Sequence, residues 1–84
     1  MLTLKYVVTD QGDFAIFTEL TSHDKIGENL FGKPVAAGFC HLEHPNVHEG
    51  YKDGESYIIC SGDSISLGLK SRGEVDEKII NKHL

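Results

Sequence analysis

The stretch that decides the fold of this 84-residue chain is LTLKYVVTDQGDFAIFTE, residues 2–19. Its first half, Leu2–Thr9, is rich in β-branched and aromatic side chains that partly alternate with other residues, which predicts a strand. Asp10–Asp13 is a turn, in which Gly12 supplies a positive φ. Because Phe14–Glu19 is again apolar and aromatic, we predict that the two segments pair as a β-hairpin.

The next segments predict one short helix and a second hairpin with a long loop. Residues 21–32 begin with Thr and Ser as possible caps and place apolar residues four apart, so we expect a helix that glycine and proline then end. Val35–Leu42 is predicted as a third strand, and its small residues at 36–38 indicate that a bulky neighbour lies close against it. Glu55–Cys60 is predicted as a fourth strand, which pairs with the third.

The C-terminal part predicts one more strand and one more helix. Ser64–Leu69 alternates polar and apolar residues without a break, which predicts a half-buried fifth strand. Ser71 and Glu74 have the spacing of a capping box, so a helix is expected from about Arg72 to Leu84. One arc of its helical wheel is apolar and contains Val75, Ile79, Ile80 and Leu84.

Together these elements predict an α+β fold. The expected order is β-β-α-β-β-β-α, with about five strands in a small, mainly antiparallel sheet and the C-terminal helix packed across it. A chain of this length buries one thin core. We therefore expect a single domain over residues 1–84, without a linker or a targeting segment.

Composition narrows the function classes. The formal net charge is −5, with 13 acidic against 8 basic side chains. Phosphate contacts need clustered Lys and Arg, so this balance argues against a nucleic-acid binder. No segment has the roughly 20 apolar residues of a membrane span. We expect a soluble cytoplasmic protein that binds neither nucleic acid nor membrane.

Residues 40–49, CHLEHPNVHE, concentrate the groups that could carry chemistry. The candidate zinc ligands are His41, His44 and His48, with Cys40 or Cys60 as a further ligand. Pro45 excludes a continuous helix, and strand parity sends the first two imidazoles to opposite faces. The three histidines converge only if the loop folds back in a specific way, so a solvated loop is favoured over a metal site.

The two cysteines are expected to be reduced and buried, because both lie in predicted apolar strands. A hairpin in register about residue 50 makes Cys40 and Cys60 direct cross-strand neighbours, close enough for an oxidant to join them. Cys40 and His41 face opposite sides of a strand and so form no nucleophile–base pair. Gly62-Asp63-Ser64-Ile65 resembles the nucleophile block of GDS-type esterases, but the chain has no room for their α/β domain. An enzyme is therefore disfavoured, and a small hydrolase is only the third hypothesis.

A longer motif carries one resemblance. Gly62-x-Ser64-x-Ser66-Leu67-Gly68-Leu69-Lys70-Ser71-Arg72, followed by a helix with an acidic start and preceded by Ala37-Gly38-Phe39, is similar to a pattern in small uncharacterised bacterial and phage-type proteins. The resemblance covers about half of the chain. It implies a bacterial or phage setting and carries no activity, cofactor or functional residue with it.

The favoured function is a non-enzymatic protein-interaction module whose partner is another protein, including a second copy of itself. Several strands in so small a domain leave sheet edges that self-association would cover. The expected contact elements are the 43–54 loop and the basic segment Lys70, Ser71 and Arg72. The alternative is a metal-binding accessory protein that uses the histidine loop, with zinc as its cofactor. His23, at the start of the first helix, is expected to be a surface residue unless it binds an anion or a partner.

Overall fold

The computed structural model describes residues 3–43 and 57–83, and it confirms the α+β class. The elements in chain order are β1 (Leu4–Thr9), β2 (Phe14–Phe17), α1 (His23–Gly27), β3 (Pro34–Glu43), β4 (Tyr57–Ser61), β5 (Asp63–Ser64), β6 (Leu69–Lys70) and α2 (Glu74–Asn81). An antiparallel sheet has the order β2-β1-β3-β4, and β5 pairs with β6 in a small second sheet. In the described part of the chain, no helix is long and apolar enough to span a membrane.

The first hairpin forms as its sequence predicts. Val8 pairs with Phe14, and the Thr9 amide donates to the Asp13 carbonyl at 2.8 Å to close the loop. The Gly12 amide donates back to the Thr9 carbonyl at 3.1 Å. Gly12 has φ +78°, a left-handed conformation that glycine adopts without a steric cost, so the turn residue required by the geometry stands where it is needed.

The first helix is shorter than expected. It spans only His23–Gly27 of the predicted 21–32, with Ser22 at its N-cap. The chain that follows is bound by the turn of the first hairpin: the Phe31 amide donates to Asp13 Oδ2 and the Lys33 amide to Asp10 Oδ1, each at 2.8 Å. These tertiary hydrogen bonds compete with continuation of a helix that glycine already weakens.

The second hairpin has the predicted register. Cys40 lies directly opposite Cys60, and Leu42 lies opposite Ile58. A neighbour does lie close to Gly38, but it is backbone and not the predicted bulky side chain, because a Cβ there would stand 2.5 Å from the Ser61 carbonyl oxygen. Except for Glu43, the predicted 43–54 loop lies outside the described residues.

The predicted fifth strand over Ser64–Leu69 is wrong. This stretch holds the end of β5, a turn and the start of β6, and the Gly68 amide donates to the Ser64 carbonyl at 2.9 Å. Gly68 has φ +67°, which reverses the chain. Ile65 is 95% exposed at this turn instead of half-buried in a strand. Alternation alone is a weak signal where glycine offers a turn.

The start of the last helix also differs from its prediction. The N-cap is Gly73 and not Ser71, so no capping box forms. The Ser71 hydroxyl instead accepts the Gly73 amide at 3.0 Å. Val75, expected in the apolar arc, is 51% exposed, whereas Asp76 and Ile80 are buried. The helix is thus rotated from the predicted orientation, and a carboxylate enters the core.

Both faces of the sheet are covered. The main core lies beneath α2 and consists of Tyr6, Val8, Ala36, Cys40, Ile58, Cys60 and Ile80. Val7 and Ala37 point to the opposite face and are also buried. On that face the His23 ring packs between Phe17 and Phe39, with ring centroids 5.5 and 6.1 Å away. α2 therefore covers one face, and the start of α1 lies on the other.

Candidate functional site

A groove of about 370 Å³ opens on the face of the sheet that carries α1. It lies between the start of α1, the central strands and the β5–β6 turn. Its lining residues are Lys5, Ser22, His23, Phe39, Asp63, Ile65 and Ser66. The groove therefore combines an imidazole, an ammonium, a carboxylate and two hydroxyls with an apolar floor.

His23 is held rigidly in this groove. Its Nε2 lies 2.8 Å from the Gly38 carbonyl oxygen, which can only accept, so Nε2 carries a hydrogen and donates it. In the neutral ring the lone pair is then on Nδ1. The rings of Phe17 and Phe39 stand nearly perpendicular to the imidazole, at 80° and 85°. The predicted surface position of His23 is wrong, because the side chain fills the space above the sheet and is buried.

Two polar side chains of the groove, Lys5 and His23, bond to backbone carbonyls. The Lys5 ammonium donates to the Thr21 carbonyl at 3.1 Å, which ties β1 to the chain before α1. Within residues 3–43 and 57–83, the hydrogen bond of the His23 imidazole goes to a carbonyl and not to a hydroxyl or thiol. Both side chains are therefore anchored to backbone carbonyls at the wall of the groove.

A second polar cluster is buried beneath α2. Asp76 accepts hydrogen bonds from the Tyr6 hydroxyl, from the Arg72 amide at 2.8 Å and from Arg72 Nε at 2.7 Å. Since the phenol has one proton and gives it to the carboxylate, the Ser71 hydroxyl, 2.7 Å away, donates to the Tyr6 oxygen. Burial and the neighbouring carboxylate raise the pKa of Tyr6. This network joins β1 to α2 inside the core, so its role is structural.

Sequence reasoning missed this cluster, although a signal was present. Asp76 stands four residues after Arg72 and four before Ile80, so one face of the helix predicted from about Arg72 to Leu84 carries all three. The apolar arc of the helical wheel contains only hydrophobic residues, whereas the buried side of the helix also carries the Asp76 carboxylate. Such a residue is buried only when donors satisfy it, and the donors come from β1 and from the residues just before the helix.

The predicted partner-binding residues divide between the surface and this cluster. Lys70 is exposed in β6. Ser71 and Arg72 bond to Tyr6, Gly73 and Asp76, which gives both an intramolecular role. A contact with a partner through this segment remains a prediction.

The structure describes only one of the three predicted zinc ligands. His41 Nε2 lies 2.9 Å from Glu43 Oε1 on the same strand. His44 and His48 lie outside the described residues. Among residues 3–43 and 57–83, no group of three or more His, Cys, Asp or Glu side chains is placed to hold a metal ion. The zinc site therefore stays a prediction.

The two sheet edges differ in their hydrogen bonding. At β4, the edge is covered by α2: the Asn81 amide accepts the Ile58 amide hydrogen at 2.8 Å and donates to the Ile58 carbonyl at 3.1 Å. Glu77 Oε2 accepts the Cys60 amide hydrogen at 3.1 Å. These side chains take the place of a further strand, which is one way in which proteins protect a sheet edge.

The β2 edge has no such cover in the described part of the chain. Thr9 and Asp13 form a hydrogen-bonded pair, so in the alternating antiparallel ladder Ala15 bonds to β1 while Phe14 and Ile16 direct their backbone groups outward. The Phe14 amide donates to its neighbour Asp13 Oδ1 at 3.0 Å. Across residues 3–43 and 57–83, nothing bonds to the outward groups of Ile16. β2 is thus the open edge of the described sheet.

Comparisons with protein-family models, with curated proteins and with solved structures found no match for this chain. The site is therefore interpreted from its own geometry.

Proposed function

We propose that the protein is a small interaction module that self-associates by pairing β2 with β2 of a second copy. The observation that carries this proposal is the contrast between the two edges. Asn81 and Glu77 satisfy the backbone of β4, whereas β2 carries neither a charge nor a proline and has an open backbone in the described structure. Proteins usually protect such edges, so an unprotected one is suited to strand addition.

The ladder alternation determines the favoured register. A two-fold antiparallel pair that uses both outward residues places Phe14 opposite Ile16 of the second copy, and Ala15 opposite its own equivalent on the axis. Ala15 and its equivalent then form a non-hydrogen-bonded pair. The Cα atoms in such a pair are about 4.5 Å apart, and this short distance suits a small side chain. Because Phe14 must exchange its bond to Asp13 for one to the partner, we expect a moderate affinity.

A cytoplasmic location and a bacterial or phage setting form part of the same proposal. Two buried thiols in direct opposition are compatible with the reducing cytoplasm. A bacterial or phage setting rests only on the resemblance of the 62–72 motif. In addition to β2, the 43–54 loop and the segment Lys70, Ser71 and Arg72 remain candidate contacts.

Sedimentation of variants that carry a charge at residue 15, on the two-fold axis of the proposed dimer, tests the proposal. Ala15→Lys and Ala15→Glu each place like charges opposite each other in the dimer, so each alone should sediment as a monomer at concentrations where the natural protein is dimeric. An equimolar mixture should dimerise again, because the charges then have opposite sign. Ser61→Lys on the covered β4 edge is the matched control and should remain dimeric.

Circular dichroism melts establish that each variant is folded. A natural protein that stays monomeric up to about millimolar concentration would rule out self-association. Dimers that persist in both Ala15 variants, or that disappear equally in Ser61→Lys, would show that another surface makes the contact.

A further inference from the structure

We propose that Cys40 and Cys60 are the site of a reversible intramolecular disulfide, and that its formation is controlled by release of α2 from β4. The two residues are directly opposite on adjacent antiparallel strands and belong to the same buried core beneath α2. This modification is independent of the pairing at β2, which lies at the other edge of the sheet.

The position in the ladder suits a disulfide. The Cys60 amide points away from β3, since it donates to Glu77, so Cys40 and Cys60 form a non-hydrogen-bonded pair. Cα atoms in such pairs are about 4.5 Å apart, and disulfides span roughly 4.4–6.8 Å. The sulfurs can therefore join between two intact rungs of backbone hydrogen bonds, without displacement of a strand.

The folded state protects these thiols from a large oxidant. Cys40 is 1% exposed and Cys60 is 5% exposed. Burial raises the pKa of Cys40 to about 11, and burial together with the nearby Cys40 and Asp76 raises the pKa of Cys60 to about 12. Only a thiolate attacks a disulfide, so both access and ionisation require a local opening of the core.

Side chains of α2 control that opening. Glu77 binds the Cys60 amide, and Asn81 binds both backbone groups of Ile58, so these two residues hold the helix on β4 directly over the thiols. Ile80, between them on α2, packs into the same core as both cysteines. Loss of these contacts exposes the thiols and lets their ionisation return toward that of a free cysteine.

The reaction balances with a low-molecular-weight disulfide as oxidant, for which oxidised glutathione is the probe. One cysteine thiolate attacks it, its S–S bond breaks, and one glutathione thiolate leaves. The other cysteine thiolate then attacks the mixed disulfide and expels the second glutathione. The protein loses two electrons and two protons, and oxidised glutathione becomes two reduced molecules.

The test is the rate of this oxidation in matched variants, followed by intact mass spectrometry after alkylation. We expect the natural protein to oxidise slowly to a monomer lighter by about 2 Da. Glu77→Ala should accelerate the reaction about tenfold or more, because it removes a charged hydrogen bond from the closed state. Glu74→Ala, on the exposed side of the same helix, should oxidise within about twofold of the natural rate. Glu77→Gln should oxidise at close to the natural rate.

The disulfide product is identified by its thermal stability. A link between residues 40 and 60 should raise the Tm by roughly 10 °C or more, and reduction should reverse the shift. Stable glutathione adducts or covalent dimers as end products would overturn the proposal, as would equal acceleration by Glu77→Ala and Glu74→Ala. If Glu77→Ala is unfolded at the assay temperature, Asn81→Ala replaces it, with Asn29→Ala, which loses one exposed bond to Lys25, as its control.

Discussion

Gly38→Ala tests how closely the end of the sheet is packed. Gly38 is buried in β3, and its φ is not in the left-handed region, so alanine meets no backbone strain there. A Cβ would nevertheless lie 2.5 Å from the Ser61 carbonyl oxygen and 3.3 Å from Ser71 Cβ. Ordinary carbon–oxygen contacts are longer than about 3.4 Å, so the two strands would have to separate locally by nearly 1 Å.

The magnitude follows from what must move. Ser61 pairs with Phe39, so displacement of its carbonyl disturbs the ladder between β3 and β4. Overpacking costs about 1–3 kcal/mol, and a weakened backbone hydrogen bond adds about 1 kcal/mol. We expect Gly38→Ala to lower the free energy of unfolding by about 2–4 kcal/mol. The total for a chain of this length is about 4–13 kcal/mol.

Urea denaturation, with Gly68→Ala as the reference, separates the free-energy cost of a steric collision from that of backbone strain. Gly68 has φ +67° and nothing within 4 Å of an added Cβ, so alanine there experiences backbone strain and no collision. That strain costs about 1–2 kcal/mol. If Gly38→Ala destabilises the protein no more than Gly68→Ala does, the close approach of Ser61 does not exist in solution and the steric argument fails.

Two further predictions concern the core beneath α2. Asp76→Ala should lower the free energy of unfolding by about 3 kcal/mol, because it leaves the Tyr6 hydroxyl and the Arg72 amide without their shared acceptor. The exposed Glu74→Ala should change it by less than about 0.5 kcal/mol, and equal urea midpoints for the two variants would contradict the network. Burial raises the pKa of Cys40 to about 11 and of Cys60 to about 12, so the folded state retains their protons above the range in which unfolded thiols ionise. The stability that the two protonated thiols contribute should therefore be fully present below about pH 8.5. It should fall as the pH rises toward 12, by up to about 1.4 kcal/mol per pH unit for each thiol. A combined Cys40→Ala, Cys60→Ala variant should show a smaller loss in urea melts between pH 8.5 and 10, and an unchanged slope would refute this assignment.

The sequence predicted elements well where local chemistry and long-range pairing agree. Gly12 and its flanking apolar strands specify one hairpin, and the Cys40–Cys60 register follows from the pairing of two apolar segments about residue 50. The sequence predicted elements poorly where one local pattern is compatible with two structures. Ser64–Leu69 alternates like a strand, but Gly68 permits a turn, and the alternation contains no information about a pairing partner.

The functional surface was less predictable than the fold. The histidine tract is visible in the sequence because its groups are adjacent in the chain, whereas the groove around His23 gathers residues from β1, α1, β3 and the β5–β6 turn. Whether an edge strand is covered depends on helix residues that are 17 and 23 positions away in sequence, since Glu77 binds Cys60 and Asn81 binds Ile58. No local pattern encodes such a contact.

By itself, the sequence determined the α+β class, the two hairpins, the opposed cysteines and the acidic character of the chain, because turn residues and apolar periodicity act over a few neighbouring positions. Only the tertiary structure decided that His23 and Asp76 are buried, that β4 is covered and that β2 is open in the described part of the chain. A polar side chain enters the interior only where partners meet it, and those partners come from distant segments. The same physical reason, satisfaction of hydrogen-bonding groups, separates the covered edge from the edge that we propose as the interface.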